Sequence, residues 1–171
     1  VCAEVNAVKI QQVLLTPDFD LDLDALSRTF DATTKVLFLC SPNNPTGNLL
    51  DHHKIKEVLK RFYGIVVIDE AYIDFAKSKS FIHELDSCPN LVVLQTFSKA
   101  WGLAGLRLGM CFASPEIIRI LNKIKYPYNV NIRTQVLALD ALEKEQHKNE
   151  WVTEIVKQRR KMATALRKLS S

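Results

Sequence analysis

An α/β fold with a mainly parallel sheet and flanking helices is predicted by three features of the sequence. The first is a set of short apolar runs, Lys35–Cys40, Gly64–Asp69 and Leu91–Leu94, of the type that buries a strand on both faces. The second is helical spacing between them, clearest in Ile55, Val58, Leu59 and Phe62. The third is punctuation by Ser41-Pro-Asn-Asn-Pro-Thr-Gly47, Cys88-Pro-Asn90 and Ser114-Pro-Glu116. Strands that alternate with helices indicate right-handed βαβ units.

Each element can be argued in turn. Val8–Leu15 reads as a first strand that ends at Thr16-Pro17. Leu21, Leu23, Leu26 and Phe30 suit a short helix, with Asp18, Asp20 or Asp22 near its start. After the Lys35–Cys40 strand and its turn, Asp51 is placed to cap the helix carrying Ile55 to Phe62. Gly64–Asp69 follows as a strand and ends in Asp69, Glu70 and Tyr72. A helical piece near Phe81–Leu85 leads to the strand from Leu91, and Leu108–Ala113 is one more. Ser114 as N-cap with Pro115 at the first helical position starts a helix through Ile117, Ile118, Ile120, Leu121 and Ile124. Tyr126-Pro-Tyr-Asn129 breaks the chain, and two helices cover roughly 131–145 and 149–169. Residues 1–125 therefore read as one incomplete α/β domain and 126–171 as a helical connection to something further on. The chain opens on Val1, as a processed or excised piece or one lacking its start would.

Composition narrows the class. The chain has 171 residues, 47% hydrophobic and 25% charged, which suits a soluble domain with a core. No apolar run approaches transmembrane length, and no basic-then-apolar signal pattern opens the chain. Cys2, Cys40, Cys88 and Cys111 form no C-x-x-C pair, and the adjacent His52 and His53 make no ligand set, so the expectation is a reduced, cytoplasmic, metal-free protein. Cys40 and Cys111 should behave as small hydrophobes within strands. The net charge of +4 is uneven, with twelve Lys/Arg against six Asp/Glu from Ser114 onward. Lys157, Arg159, Arg160 and Lys161 fit a solvated helix face better than a nucleic-acid patch, which would want interleaved aromatics around Trp151.

Chemistry converges at one place. Ligands of open parallel sheets bind beyond the carboxyl ends of the strands. Three strands deliver there Asn44 with Thr46, Asp69 with Tyr72, and Thr96, Ser98 and Lys99. Singly, Asp69 is also an ordinary strand-end carboxylate, Tyr72 a core aromatic and Asn44-Pro45 a turn. Together on one edge they point to a ligand. Arg107 suits a phosphate, assisted by Thr96 and Ser98. Neither a P-loop motif nor G-x-G-x-x-G spacing is present, so a nucleotide fits less well. A phosphorylated aldehyde held on Lys99 fits better, with Asp69 facing a pyridine nitrogen.

Ser41-Pro-Asn-Asn-Pro-Thr-Gly47, Asp69-Glu-Ala-Tyr-Ile-Asp-Phe75 and Ser98-Lys-Ala-Trp-Gly-Leu-Ala-Gly-Leu-Arg107 resemble, in order, motifs of the histidinol-phosphate aminotransferases. These belong to the aspartate aminotransferase (fold type I) superfamily of pyridoxal-phosphate enzymes. The histidinol-phosphate part of the resemblance rests on Asp69–Phe75 and on Tyr126-Pro-Tyr-Asn-Val-Asn131. The resemblance implies a pyridoxal-phosphate large domain followed by helices leading to a small domain. It implies Lys99 as the Schiff-base lysine and proton carrier, and Asp69 on the pyridine nitrogen. It further implies Asn44 and Tyr72 on the phenolic oxygen, Thr96, Ser98 and Arg107 on the phosphate, and a cis Asn44-Pro45 bond. Histidinol phosphate, glutamate and their oxo acids are the implied substrates, in a homodimer with no nucleic-acid or membrane partner. Family members are about twice this length, so the isolated piece is expected to bind cofactor weakly and turn over little. Competing readings are an aromatic aminotransferase or threonine-phosphate decarboxylase, a non-catalytic α/β module, and nucleic-acid binding through the last helix.

Overall fold

The structure is a computed structural model and describes residues 2–169. In chain order its main elements are α1 (Cys2–Val5), α2 (Leu23–Thr29), β1 (Val36–Cys40), α3 (His52–Arg61), β2 (Ile65–Asp69), β3 (Leu91–Thr96), β4 (Gly109–Ala113), α4 (Pro115–Ile124), α5 (Ile132–Glu143) and α6 (Glu145–Arg167). Short 3-10 turns at Ile73–Phe75, Phe81–Glu84 and Ala104–Leu106 lie in the connections. The strands form a single sheet in the order β1-β2-β3-β4. The first three are parallel, and β4 returns antiparallel along β3. An antiparallel edge strand on a parallel sheet is a common way to finish such a sheet.

Helix starts follow the local chemistry. Asp22 accepts from the N–H of Ala25, Asp51 from those of His53 and Lys54, and Ser114 from that of Ile117. Each satisfies a donor that the first helical turn leaves open, worth about 1 kcal/mol. The other end of α3 is closed from a distance. The Asn90 side-chain amide donates to the carbonyls of Leu59, Phe62 and Gly64, so the Cys88–Asn90 turn also ties α3 to the start of β2.

The core lies between the sheet and the helices α2 and α3. Leu26, Ile55, Val58, Leu59 and Phe62 pack there with Leu39, Val66, Ile68, Leu91 and Val93. Strand side chains alternate between faces, so Ile68 in this core sends Asp69 to the opposite face. Register then sets Cys40, Asp69 and Leu94 side by side at the carboxyl edge.

Three expectations need correcting. Residues 8–15 form no strand; Val8, Ile10 and Leu14 are 59%, 56% and 85% exposed. An extended apolar segment becomes a strand only when a neighbouring backbone supplies the ladder, and β1 pairs on its β2 side alone among the described residues. Cys111 is exposed rather than buried, because it alternates with Phe112, which takes the core face of β4. The last helix begins at Glu145, directly after the Lys144 joint, instead of near residue 149. Of the helical histidines, His52 stacks on Phe81 with ring centroids 4.0 Å apart, an apolar contact at the core rim. Among the described residues no helix is long and apolar enough to cross a membrane.

One close approach fixes how β1 and β2 begin. A Cβ at Gly64 would meet the carbonyl oxygen of Lys35 and the ring of Phe62. Gly64→Ala is therefore expected to destabilise the fold by about 1–3 kcal/mol, by overpacking against backbone that cannot move aside. A chemical-denaturation midpoint shift at constant m-value would measure it.

Candidate active site

Two strand exits and one turn build the site. At the end of β2, Asp69 is half-buried, and its Oδ1 accepts from the N–H of Ala71 at 2.9 Å. The chain then turns through Ile73–Phe75 and presents Tyr72. The Tyr72 hydroxyl accepts from the Asn44 side-chain amide at 3.0 Å. Asn44 belongs to the turn after β1, where both Asn44-Pro45 and Ser41-Pro42 are cis. Thr46 has a different role from its neighbour. Its hydroxyl binds Asn43 and Asn48 and braces the turn from within.

The β3 exit supplies the rest. Thr96 Oγ1 accepts from the N–H of Ser98 at 3.0 Å and donates to the carbonyl of Leu108 at 3.3 Å. Phe97 and Ala100 are buried and anchor the loop, which leaves Lys99 exposed between Ser98 and Ala100. The Lys99 ammonium lies 5.1 Å from the centroid of the Tyr72 ring. An exposed cation over a phenol gains about 0.5–1 kcal/mol, enough to bias where the side chain rests. Asn44, Tyr72 and Lys99 therefore form one cluster drawn from three separate connections.

Arg107 arrives by the hairpin. Thr96 pairs with Gly109, and the Leu108 carbonyl takes bonds from both Thr96 Oγ1 and the Phe97 N–H. The preceding residue, Arg107, is thus held beside the Thr96–Ser98 corner. Its backbone is left-handed (φ 52°, ψ 42°), unusual for a residue with a Cβ, and its guanidinium donates to the Ala104 carbonyl at 3.0 Å. Left-handed backbone at a residue with a side chain is strain of the kind that clusters at functional sites.

Sequence reasoning gave no role to Glu70, which is 1% exposed. Its carboxylate accepts from the Ser80 hydroxyl, from the Phe81 N–H at 2.7 Å and from the Gln95 amide at 3.0 Å. Only its place after an apolar run hinted at burial. Cys40 lies in register with Asp69; burial pushes its thiol above the ordinary range, and the Asp69 carboxylate adds to this. Among the described residues no group of three His, Cys, Asp or Glu could hold a metal ion.

The edge thus offers a carboxylate, a phenol with an amide, an amine, and hydroxyls with a guanidinium. Those donor sets match, in turn, a pyridinium, a ring oxygen, an aldehyde and a phosphate. The family model described as aminotransferase class I and II matches residues 1–169. A curated histidinol-phosphate aminotransferase of Cytophaga hutchinsonii is 56% identical over 99% of this chain and 49% of its own length. The chain thus spans about half the length of the curated relatives it matches. Among solved structures, the histidinol-phosphate aminotransferase of Clostridium acetobutylicum aligns with a TM-score of 0.87 at 25% identity, over 97% of this chain and 51% of its own. That of Sinorhizobium meliloti, solved in complex with pyridoxal-5'-phosphate, aligns at 0.83 and 24% identity, over 94% of this chain and 45% of its own.

Two variants probe the site's construction. Glu70→Ala should cost about 3–5 kcal/mol in denaturant unfolding, since the Ser80, Phe81 and Gln95 donors lose a buried charged acceptor. Arg107→Gly should leave stability unchanged or raise it by up to about 1 kcal/mol, because glycine tolerates the left-handed backbone. The same variant should weaken binding of a phosphate ester about ten- to a hundredfold, measured by calorimetry.

Proposed function

The chain belongs to the aminotransferase class I and II family, and from that premise we propose that the protein is a pyridoxal-phosphate-dependent aminotransferase. Its proposed substrates are histidinol phosphate and imidazole acetol phosphate, exchanged with glutamate and 2-oxoglutarate in histidine biosynthesis. The observation that carries this is the Lys99 amine 5.1 Å over the Tyr72 ring, with the Tyr72 hydroxyl bonded to Asn44 and Asp69 on the same edge. The substrate assignment is supported by the name of the relative at 56% identity. In the same proposal, residues 1–125 form part of the cofactor-binding domain and 126–171 lead toward a second one. Cytoplasmic location is supported by free thiols at Cys40, Cys88 and Cys111. Homodimer assembly is supported by large apolar side chains exposed on α4 and α5, among them Ile124, Ile132 and Leu139.

When bound, pyridoxal phosphate supplies an electron sink that makes the substrate Cα–H acidic. Asp69 would hold a negative charge against the pyridine nitrogen and keep that nitrogen protonated. Asn44 and Tyr72 would donate to the ring oxygen. Arg107, Thr96 and Ser98 would grip the phosphate and so orient the ring relative to Lys99. Lys99 Nζ would hold the cofactor between turnovers and, once freed, would accept the proton from the substrate Cα. Its exposed position on a loop pinned by Phe97 and Ala100 allows that short movement without unfolding the loop.

The test is borohydride reduction of the complete protein after addition of pyridoxal phosphate, with peptide mapping. A single adduct at Lys99 is expected, and label spread over surface lysines would overturn the reading. Lys99→Ala should abolish the adduct and lower turnover by at least about a hundredfold. Asp69→Asn should retain the adduct at Lys99 while turnover falls by a comparable factor, read by coupled assay of the oxo-acid product.

A further inference from the structure

We infer that Lys148 is a positioning residue: its ammonium, held between Asp74 and Trp101, ties the turn that carries Tyr72 and the loop that carries Lys99 to α6, and so sets the geometry between those two side chains. The catalytic half of this inference rests on the aminotransferase reading.

Lysine is seldom buried unless paired, and Lys148 is only 8% exposed although it lies on an otherwise exposed helix. Its Nζ is 2.9 Å from Asp74 Oδ1 and 4.8 Å from the centroid of the Trp101 ring. Glu145, one turn earlier on α6, stands at 3.5 Å and is largely in solvent. Asp74 follows Tyr72 by two residues, and Trp101 follows Lys99 by two. Trp101 also leans on the buried Phe97, with ring centroids 5.4 Å apart. A closed circuit results: Tyr72 to Asp74, across Lys148 to Trp101, back to Lys99, and from the Lys99 ammonium to the Tyr72 ring. About three turns further along α6, Arg159 donates to the carbonyl of Phe75 at 3.3 Å, so the helix grips the same turn twice.

Stability alone does not account for this lysine. A buried ion pair offsets most of its own desolvation cost, and an apolar residue of similar length often serves the fold as well. What the charge adds is direction, because one ammonium must face a carboxylate and a ring at the same time. The turn is anchored at its start by the Glu70 carboxylate, but beyond Tyr72 it is held by short backbone bonds and by α6, and Lys99 is exposed. Small displacements between reacting groups cost rate steeply, up to about a hundredfold for 1 Å.

The experiment compares the complete wild-type protein with Lys148→Met, Lys148→Arg and Asp74→Asn. Without cofactor, Lys148→Met should speed amide exchange about tenfold in peptides spanning 71–76 and 97–103, with the β2 and β3 cores unchanged. With cofactor, it should lower kcat about tenfold while KM for the amino donor stays within about twofold. Asp74→Asn should reproduce both effects in part, and Lys148→Arg should restore most of kcat. Unchanged exchange in both loops, or exchange raised equally in the strands, would overturn the inference, as would a Met variant with wild-type kcat. If the wild-type protein forms no Lys99 adduct, the aminotransferase reading falls, and the exchange comparison alone decides whether Lys148 holds the loops.

Discussion

The buried Glu70 carboxylate is the constraint on which the site edge depends. It receives hydrogen bonds from Ser80, Phe81 and Gln95, so one side chain joins the β2 exit, the following connection and the β3 strand just before Thr96. Asp69 and Glu70 are neighbours in sequence and opposite in role. Strand alternation turns Asp69 away from the face that carries Ile68, and the chain bends at once so that Glu70 is enclosed. A buried carboxylate is tolerable only when its acceptor sites are filled, and here three donors fill them. The price of that burial is met by fixing two strand exits relative to each other.

From that frame outward, precision falls and local bonding takes over. Thr96 and Leu108 lock the base of the β3 exit loop, Phe97 and Ala100 anchor its middle, and Lys99 is exposed at its surface with its ammonium over the Tyr72 ring. In the proposed chemistry a group that would hold a cofactor, release it and move a proton would need such a place, firm at the base and loose at the tip. Arg107 is the contrary case. Its backbone is left-handed at the return into β4, a local strain, and its guanidinium rests on the Ala104 carbonyl.

Charge is distributed to match. The carboxylate of Asp69 is half-buried at the floor of the edge, while the cations Lys99 and Arg107 are exposed at its rim. In the proposed chemistry the floor would need a charge that persists and the rim charges that can move, and burial differs accordingly. Cys40, in register with Asp69, is pushed toward its neutral form by burial and by the Asp69 carboxylate.

Much of this was legible in the sequence because it depends on local rules. Apolar runs specified β1, β2 and β3, and Asp51 and Ser114 announced their helices. The residues at the strand ends could be placed on one edge because parallel strands must share a direction. The segment 8–15 was not legible, since whether an apolar stretch pairs depends on a neighbouring strand rather than on its own residues. Glu70 and Lys148 were hidden for the same reason. Each looks like any acidic or basic residue, and its partners lie 10 to 25 positions away for Glu70 and 74 for Lys148 and Asp74. The sequence by itself determined which groups reach the edge, because periodicity and turn chemistry act within a few residues. Only the tertiary structure decided how they are held there, because burial and ion pairing are properties of neighbours that the chain brings together from far apart.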